Sequence, residues 1–274
     1  MPSYVITGAS RGLGFEFLRQ LSEDPAAIVI GLVRDKEGTE KKVSSQIGRP
    51  NVHILHGDLD DYKSLKKAAE DTAKITGGAV DYLIANGAFL SSKLALLSLN
   101  DMADDPEGLE EDFLRSFKTN VVGNIHLFNF FLPLIRKGEA KKVISISTGI
   151  ADYDLVRELE YDIAGPYTTS KAALNLAVVE YHALLHHEGI LFFSISPGVV
   201  ATDGQNVATD NKSEKELANS EKMFAKFAKY APHFKGPITP EESVKKVMKV
   251  IYNASLERGD GGSFVSHLGT RQWL

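Results

Sequence analysis

Cysteine is absent from all 274 residues. That excludes disulfides, thiolate metal sites and a cysteine nucleophile, and it fits a reducing compartment. Long apolar runs are missing too. None reaches the length of a membrane span, and a glycine motif opening at residue 7 leaves no room for a cleaved presequence, so a cytoplasmic protein with no membrane partner is expected. Positive charge falls short of negative, with a formal net charge of −5. No basic tract with interleaved aromatics occurs either, which argues against nucleic acid as a partner. Repeats, linkers and low-complexity tracts are not found. What is present is 43% hydrophobic content, enough to close a substantial core, on a length that suits one large α/β domain or two small ones.

Short β-branched runs alternate with longer amphipathic ones, the pattern of βαβ units and a parallel sheet. The strands read "SYVIT" (3–7), "AIVIGLV" (27–33), "VHILHG" (52–57), "VDYLIA" (80–85), "KVISIS" (142–147), "ILFFSIS" (190–196) and "SFVSH" (263–267). Seven strands separated by helical patterns predict a doubly wound α/β fold, a single domain over 1–274. In "TPEES", Thr239 reads as an N-cap, Pro240 as the first helical residue and Glu242 as the capping-box partner. One long irregular interval, 203–237, is expected to be a lid over the substrate.

The chain opens "VITGASRGLG", placing Gly8, Gly12 and Gly14 where a buried strand runs into a helix. Glycine there lets the backbone turn tightly and approach a pyrophosphate, whose charge is met by free N–H groups and the helix dipole. The bland alternative is a tight strand-to-helix turn, but the position directly after the first strand favours nucleotide binding. The second strand ends Leu32-Val33-Arg34 rather than on the carboxylate that usually contacts the ribose of NAD. Arg11 and Arg34 could flank a 2′-phosphate with their forked donors, which favours NADP(H). Asp35 follows directly and is the alternative ribose ligand.

In "PYTTSK" (166–171), Tyr167 and Lys171 stand four residues apart. Leu174, Val178, Tyr181 and Leu185 continue at helical spacing, so the phenol and the ammonium share one face of the first turn of an amphipathic helix. On its own such a pair is more often a solvated face than a site.

Taken in order, "TGASRGLG" (7–14), "GDLDD" (57–61), "ANGA" (85–88), "KTNVVG" (118–123), "SISTG" (145–149), "YTTSK" (167–171) and "SPGVVAT" (196–202) resemble the classical short-chain dehydrogenase/reductase family over nearly the whole chain. Within it the chain looks more like the carbonyl-reductase branch near sniffer and C-factor proteins than like the longer sugar epimerases. The resemblance implies a Rossmann fold and NADP(H) contacts at Gly8, Ser10, Arg11, Gly12, Leu13 and Gly14, with Arg34 after the second strand. It further implies Asp58 and Leu59 at the adenine, Asn86 and Gly87 near the ribose, and Pro197, Gly198, Val200 and Thr202 at the nicotinamide. Tyr167 would be the proton donor. Lys171 would stabilise its phenolate and bind the ribose, and Asn120 would hold the water that replaces the proton. A hydroxyl orienting the substrate carbonyl falls on Thr148, with Ser147 the alternative, since either has the donor. Thr168, Thr169 and Ser170 are read as compact first-turn residues without a chemical role.

The implied activity is NADPH-dependent reduction of a small-molecule ketone or aldehyde. A cofactor-binding regulatory sensor, an oxidative alcohol dehydrogenase and an imine or alkene reductase are the alternatives. The inserted stretch "ADYDLVRELEYD" (151–162) is expected to shape the substrate mouth, its acidic residues either solvated or drawing a cationic substrate. Met223, Phe227 and Tyr230, with Phe224 and Phe234 nearby, read equally as a helix packed on the core or as a lid for a bulky apolar substrate. His182 and His186 have zinc-binding spacing but no completing motif, so no metal is expected. The apolar circumference of "VVGNIHLFNFFLPLI" (121–135) predicts a homodimer or homotetramer.

Overall fold

The computed structural model describes residues 1–91, 94–202 and 213–274. Seven parallel strands form one sheet in the order β3-β2-β1-β4-β5-β6-β7. They are β1 (Ser3–Thr7), β2 (Ile28–Val33), β3 (Val52–His56), β4 (Tyr82–Ala85), β5 (Lys142–Ile146), β6 (Leu191–Ser196) and β7 (Phe264–Ser266). Helices α1 (Gly12–Leu21), α2 (Lys36–Gln46), α3 (Tyr62–Thr76), α4 (Pro106–Phe117) and α5 (Gly123–Ile135) lie in the first half. Helices α6 (Tyr153–Leu159), α7 (Gly165–Leu185), α8 (Glu214–Tyr230) and α9 (Pro240–Asn253) follow. Among the described residues no helix is long and apolar enough to cross a membrane.

The strands read as near-continuous apolar runs because both faces of the sheet are covered. Alternate residues go to opposite faces. Tyr4 and Ile6, Ile144 and Ile146, and Phe193 and Ile195 join one core with Phe15 and Leu18 of α1 and Val244, Met248 and Ile251 of α9. Val5, Val143 and Phe192 join the other with Leu65 of α3, Phe128 and Phe131 of α5 and Leu174 and Val178 of α7. Burying each large side chain stabilises the fold by roughly 1.5–3 kcal/mol.

This packing accounts for much of the apolar surface of 121–135. Leu127, Phe128, Phe131, Leu134 and Ile135 are spent on the second core. Exposed apolar side chains nearby are Leu114 and Phe117 of α4, Val122 within 121–135 itself, and Leu176, Val179 and Leu184 of α7.

Two capping details also differ from expectation. Thr239 accepts the Glu242 N–H at 3.1 Å, but the Glu242 carboxylate pairs with Lys246 at 2.7 Å instead of closing a box. The complete capping box is Ser213 with Glu216, at the start of α8.

Candidate active site

The strand order reverses between β1 and β4, which opens a crevice at their C-terminal ends. The glycine loop fills one wall. Gly8 has φ +66, and a Cβ on Gly14 would stand 2.2 Å from the Gly8 carbonyl oxygen, so the turn admits no side chain there. The far wall is tied on by polar contacts. Asn86 Nδ2 donates to the Thr7 carbonyl and the Gly87 N–H donates to Thr7 Oγ1, both at 2.9 Å. Arg11 starts α1 without a side-chain cap, whereas Asp35 caps α2 by accepting the Gly38 N–H at 2.9 Å. The first turn of α1 therefore keeps its N–H groups free of a cap, as a pyrophosphate requires. The remaining residues expected at the cofactor follow the C-terminal ends of β3, β4 and β6, apart from Leu13 at the start of α1. The Leu59 side chain packs against Gly87, and a Thr202 methyl lies 3.5 Å from where a Gly12 Cβ would be. Asp58 Oδ1 accepts the Asp60 N–H at 3.0 Å, and Leu13 is partly buried. Pro197 accepts the Ser243 hydroxyl at 2.7 Å, Gly198 follows at φ +84, and Val200 is buried beneath.

Arg11 and Arg34 are exposed beside this crevice. A third cation was not foreseen. Lys42 of α2 donates to the Ser10 carbonyl at 3.1 Å while its ammonium sits 4.1 Å from the centre of the Phe15 ring. Nothing local in a lysine-rich helix distinguishes it.

Tyr167 and Lys171 occupy the first turns of α7, which begins after Ala164 in a left-handed conformation with Pro166 at the second position. The Lys171 side chain is buried and its ammonium donates to the Ile146 carbonyl at the end of β5, at 2.6 Å. Burial pushes the Lys171 amine down to about 8 and the Tyr167 phenol up to about 12. The ammonium is thus engaged with Ile146 rather than with the phenol.

Asn120 sits in a π-helical turn, Lys118–Val122, fully buried. Its Oδ1 accepts the Phe89 N–H at 2.6 Å, and its Nδ2 donates to the Phe89 carbonyl and to Ser170 Oγ, each at 2.9 Å. Both amide hydrogens are committed, so only acceptor capacity remains for a water. Ser170 therefore has a role that its size alone did not reveal. Thr168 and Thr169 donate back to the Gly165 carbonyl at 3.0 and 2.7 Å, bonds local to the first turns of the helix.

Tyr167 and Thr148 line one cavity of about 290 Å³. Ser147 is outside that lining, buried and without a hydroxyl partner. Leu155 and Tyr161 of the inserted stretch, Met223, Phe224 and Phe227 of α8, and Trp273 are part of the apolar wall. The face of α8 that packs Phe227 and Met223 on Leu155, Leu159 and Trp273 also lines the cavity. Tyr230 and Phe234 support it from behind. The part of the expected lid at 203–212 lies outside the described residues. The acidic residues of 151–162 stay off the cavity wall. Asp152 caps α6 and pairs with Arg271 at 2.6 Å, and Asp162 pairs with Lys226 at 3.0 Å. Trp273 gave no sign in a short C-terminal run of polar residues.

His182 and His186 have ring centroids 5.2 Å apart, and the His182 ring packs on the Gly261–Gly262 turn. Among the described residues no group of three or more His, Asp or Glu side chains is placed to hold a metal ion.

Comparison with known proteins agrees with this architecture. The family described as short chain dehydrogenase matches residues 3–215. The short chain dehydrogenase virK of Hypocrea virens is 53% identical over 275 residues, covering 100% of both chains. Among solved structures, the NADPH-bound carbonyl reductase from chicken fatty liver superposes with a TM-score of 0.76 at 24% identity over 98% of each chain. The carbonyl reductase Sniffer of D. melanogaster does so with a TM-score of 0.76 at 22% identity, again over 98% of each.

Proposed function

This chain belongs to the short-chain dehydrogenase family of oxidoreductases, and from that premise we propose that it is an NADP(H)-dependent reductase of ketone or aldehyde carbonyls. The observation that carries the proposal is the shared cavity of Tyr167 and Thr148, with Lys171 buried one helical turn along. NADPH, when bound, supplies the hydride.

The chain's own residues handle the oxygen. As negative charge develops there, Tyr167 gives up its phenolic proton and the Thr148 hydroxyl donates a hydrogen bond. A phenol raised to about 12 by burial stays protonated at neutral pH, ready to donate. Thr148 takes the orienting role over Ser147, whose hydroxyl does not reach the cavity wall. Lys171 contributes its charge and a ribose contact, while Asn120 and Ser170 fix the helix that carries the pair.

The choice of NADP(H) rests on Arg11 and Arg34, both exposed beside the glycine loop, and on Asp35, whose carboxylate is occupied in capping α2. Gly8, Gly12 and Gly14 would cradle the pyrophosphate. A single domain over 1–274 with α8 as part of the lid completes the reading. Alcohol oxidation uses the same groups in reverse, and a screen of NADPH consumption against carbonyls, with NADP reduction against alcohols, tests the activity. No turnover in either direction would favour a cofactor-binding sensor.

The proposal includes a homodimer or homotetramer, formed through the exposed apolar side chains Leu114 and Phe117 of α4 and Leu176 and Val179 of α7. Sedimentation at micromolar concentration should find no monomer. A monomer there would refute it.

A further inference from the structure

Tyr161 enters the cavity from the inserted stretch, away from the turn that carries Tyr167. Glu160 closes α6 in a left-handed conformation with φ 50, and the Tyr161 N–H donates back to the Val156 carbonyl at 3.0 Å. One ammonium holds both flanks. Lys226 of α8 donates to the Glu160 carbonyl and pairs with Asp162 at 3.0 Å. The next residue of α8, Phe227, stacks on the Tyr161 ring, with centroids 6.4 Å apart and planes 6° from parallel. The backbone is thus pinned on both sides of Tyr161, and the ring is stacked on one face.

Its hydroxyl is poorly used by the protein. The described contact is the Met223 sulfur at 3.9 Å, a weak acceptor, although buried phenols normally find a strong one. Burial pushes this phenol above its ordinary range and the nearby Tyr167 adds to the effect, so Tyr161 stays a neutral donor within electrostatic reach of the proton donor. Three other polar lining residues have tasks. Ser196 Oγ accepts the Gly149 N–H at 3.0 Å, and Thr148 and Tyr167 serve the reacting oxygen. Among the described residues no Lys, Arg or His side chain lines the cavity, which disfavours an anionic substrate, and the Glu216 carboxylate is held by Ser213.

We propose that Tyr161 is a specificity-determining residue whose hydroxyl donates to a second, neutral oxygen of the substrate, so that the enzyme selects apolar carbonyl compounds bearing a hydroxyl, ether or second carbonyl oxygen. The inference rests on the reductase reading of the site. The surrounding Phe224, Phe227 and Trp273 favour a ring system as the apolar part.

The test compares 1-tetralone with its monohydroxy isomers. Wild type should prefer at least one hydroxylated isomer by about ten-fold in kcat/KM, the discrimination that a single net hydrogen bond provides. In Tyr161→Phe the ratio of hydroxylated to parent ketone should fall to near one, a quantity that a general loss of activity does not move. The inference is overturned if wild type shows no preference or if the preference survives in Tyr161→Phe. Calorimetric Kd values for the same compounds on the NADPH-loaded protein give the ratio without turnover. If no isomer is reduced, the reductase reading suffers, while the Kd ratio still decides the part played by Tyr161.

Discussion

Asn120 donates to Ser170 Oγ across 2.9 Å, and Ser170 stands between Tyr167 and Lys171 on the same helix. The π-helical turn and the helix bearing the reactive pair are therefore joined by one buried hydrogen bond. Ser170 also donates to the Tyr167 carbonyl at 2.8 Å, so its hydroxyl is fully oriented.

Ser170→Ala should leave an Asn120 N–H buried without an acceptor, costing about 1–3 kcal/mol. Chemical denaturation measures that loss. Turnover should fall more than cofactor affinity, because the change loosens the register of Tyr167 and leaves the glycine loop intact. Unaltered stability would mean that another group takes up the amide.

Lys171 should make stability depend on pH. Its amine titrates near 8 in the fold against 10.5 when free, so between those values the unfolded chain binds more protons and stability rises with pH. Below about 8 the cost of burying the charge is complete, roughly 3 kcal/mol. Lys171→Met should therefore gain on wild type most at pH 7, and the difference should shrink towards pH 10.5. Melting curves of both proteins without cofactor across that range check the sign. A difference that does not change with pH would contradict it.

Arg34→Asp should weaken NADP(H) binding by about 1.5–3 kcal/mol, through loss of a charge-assisted pair and added repulsion, while NAD(H) binding holds or improves. Titration of both cofactors against wild type and variant decides it. A wild type that already prefers NAD would overturn the choice of cofactor.

All seven strands were legible because a sheet covered on both faces needs uninterrupted apolar runs, and their parallel pairing followed from the alternation with helices. The ends shifted where a polar residue had other work. β4 starts at Tyr82 because Asp81 is spent accepting hydrogen bonds from Ser3, Glu139 and Ala140. The glycine loop was legible because a steric requirement leaves glycine as its trace. Ser170, Lys42, Tyr161 and Trp273 were not. Each acts through a partner distant in sequence, such as Asn120 fifty positions before Ser170, and neither periodicity nor motif records such contacts. Much of the apolar surface of 121–135 belongs to the core. A helix between a sheet and α3 buries more of its circumference than one core face would suggest.

The proton donor is the centre of the account, and Tyr167→Phe isolates it by removing one hydroxyl while keeping the ring. The measurement is single-turnover oxidation of bound NADPH by a carbonyl that wild type reduces, with the NADPH dissociation constant determined in parallel. The rate should fall by at least roughly a hundred-fold, the scale of general acid catalysis, with cofactor affinity retained. A rate equal to wild type would place the proton donor elsewhere.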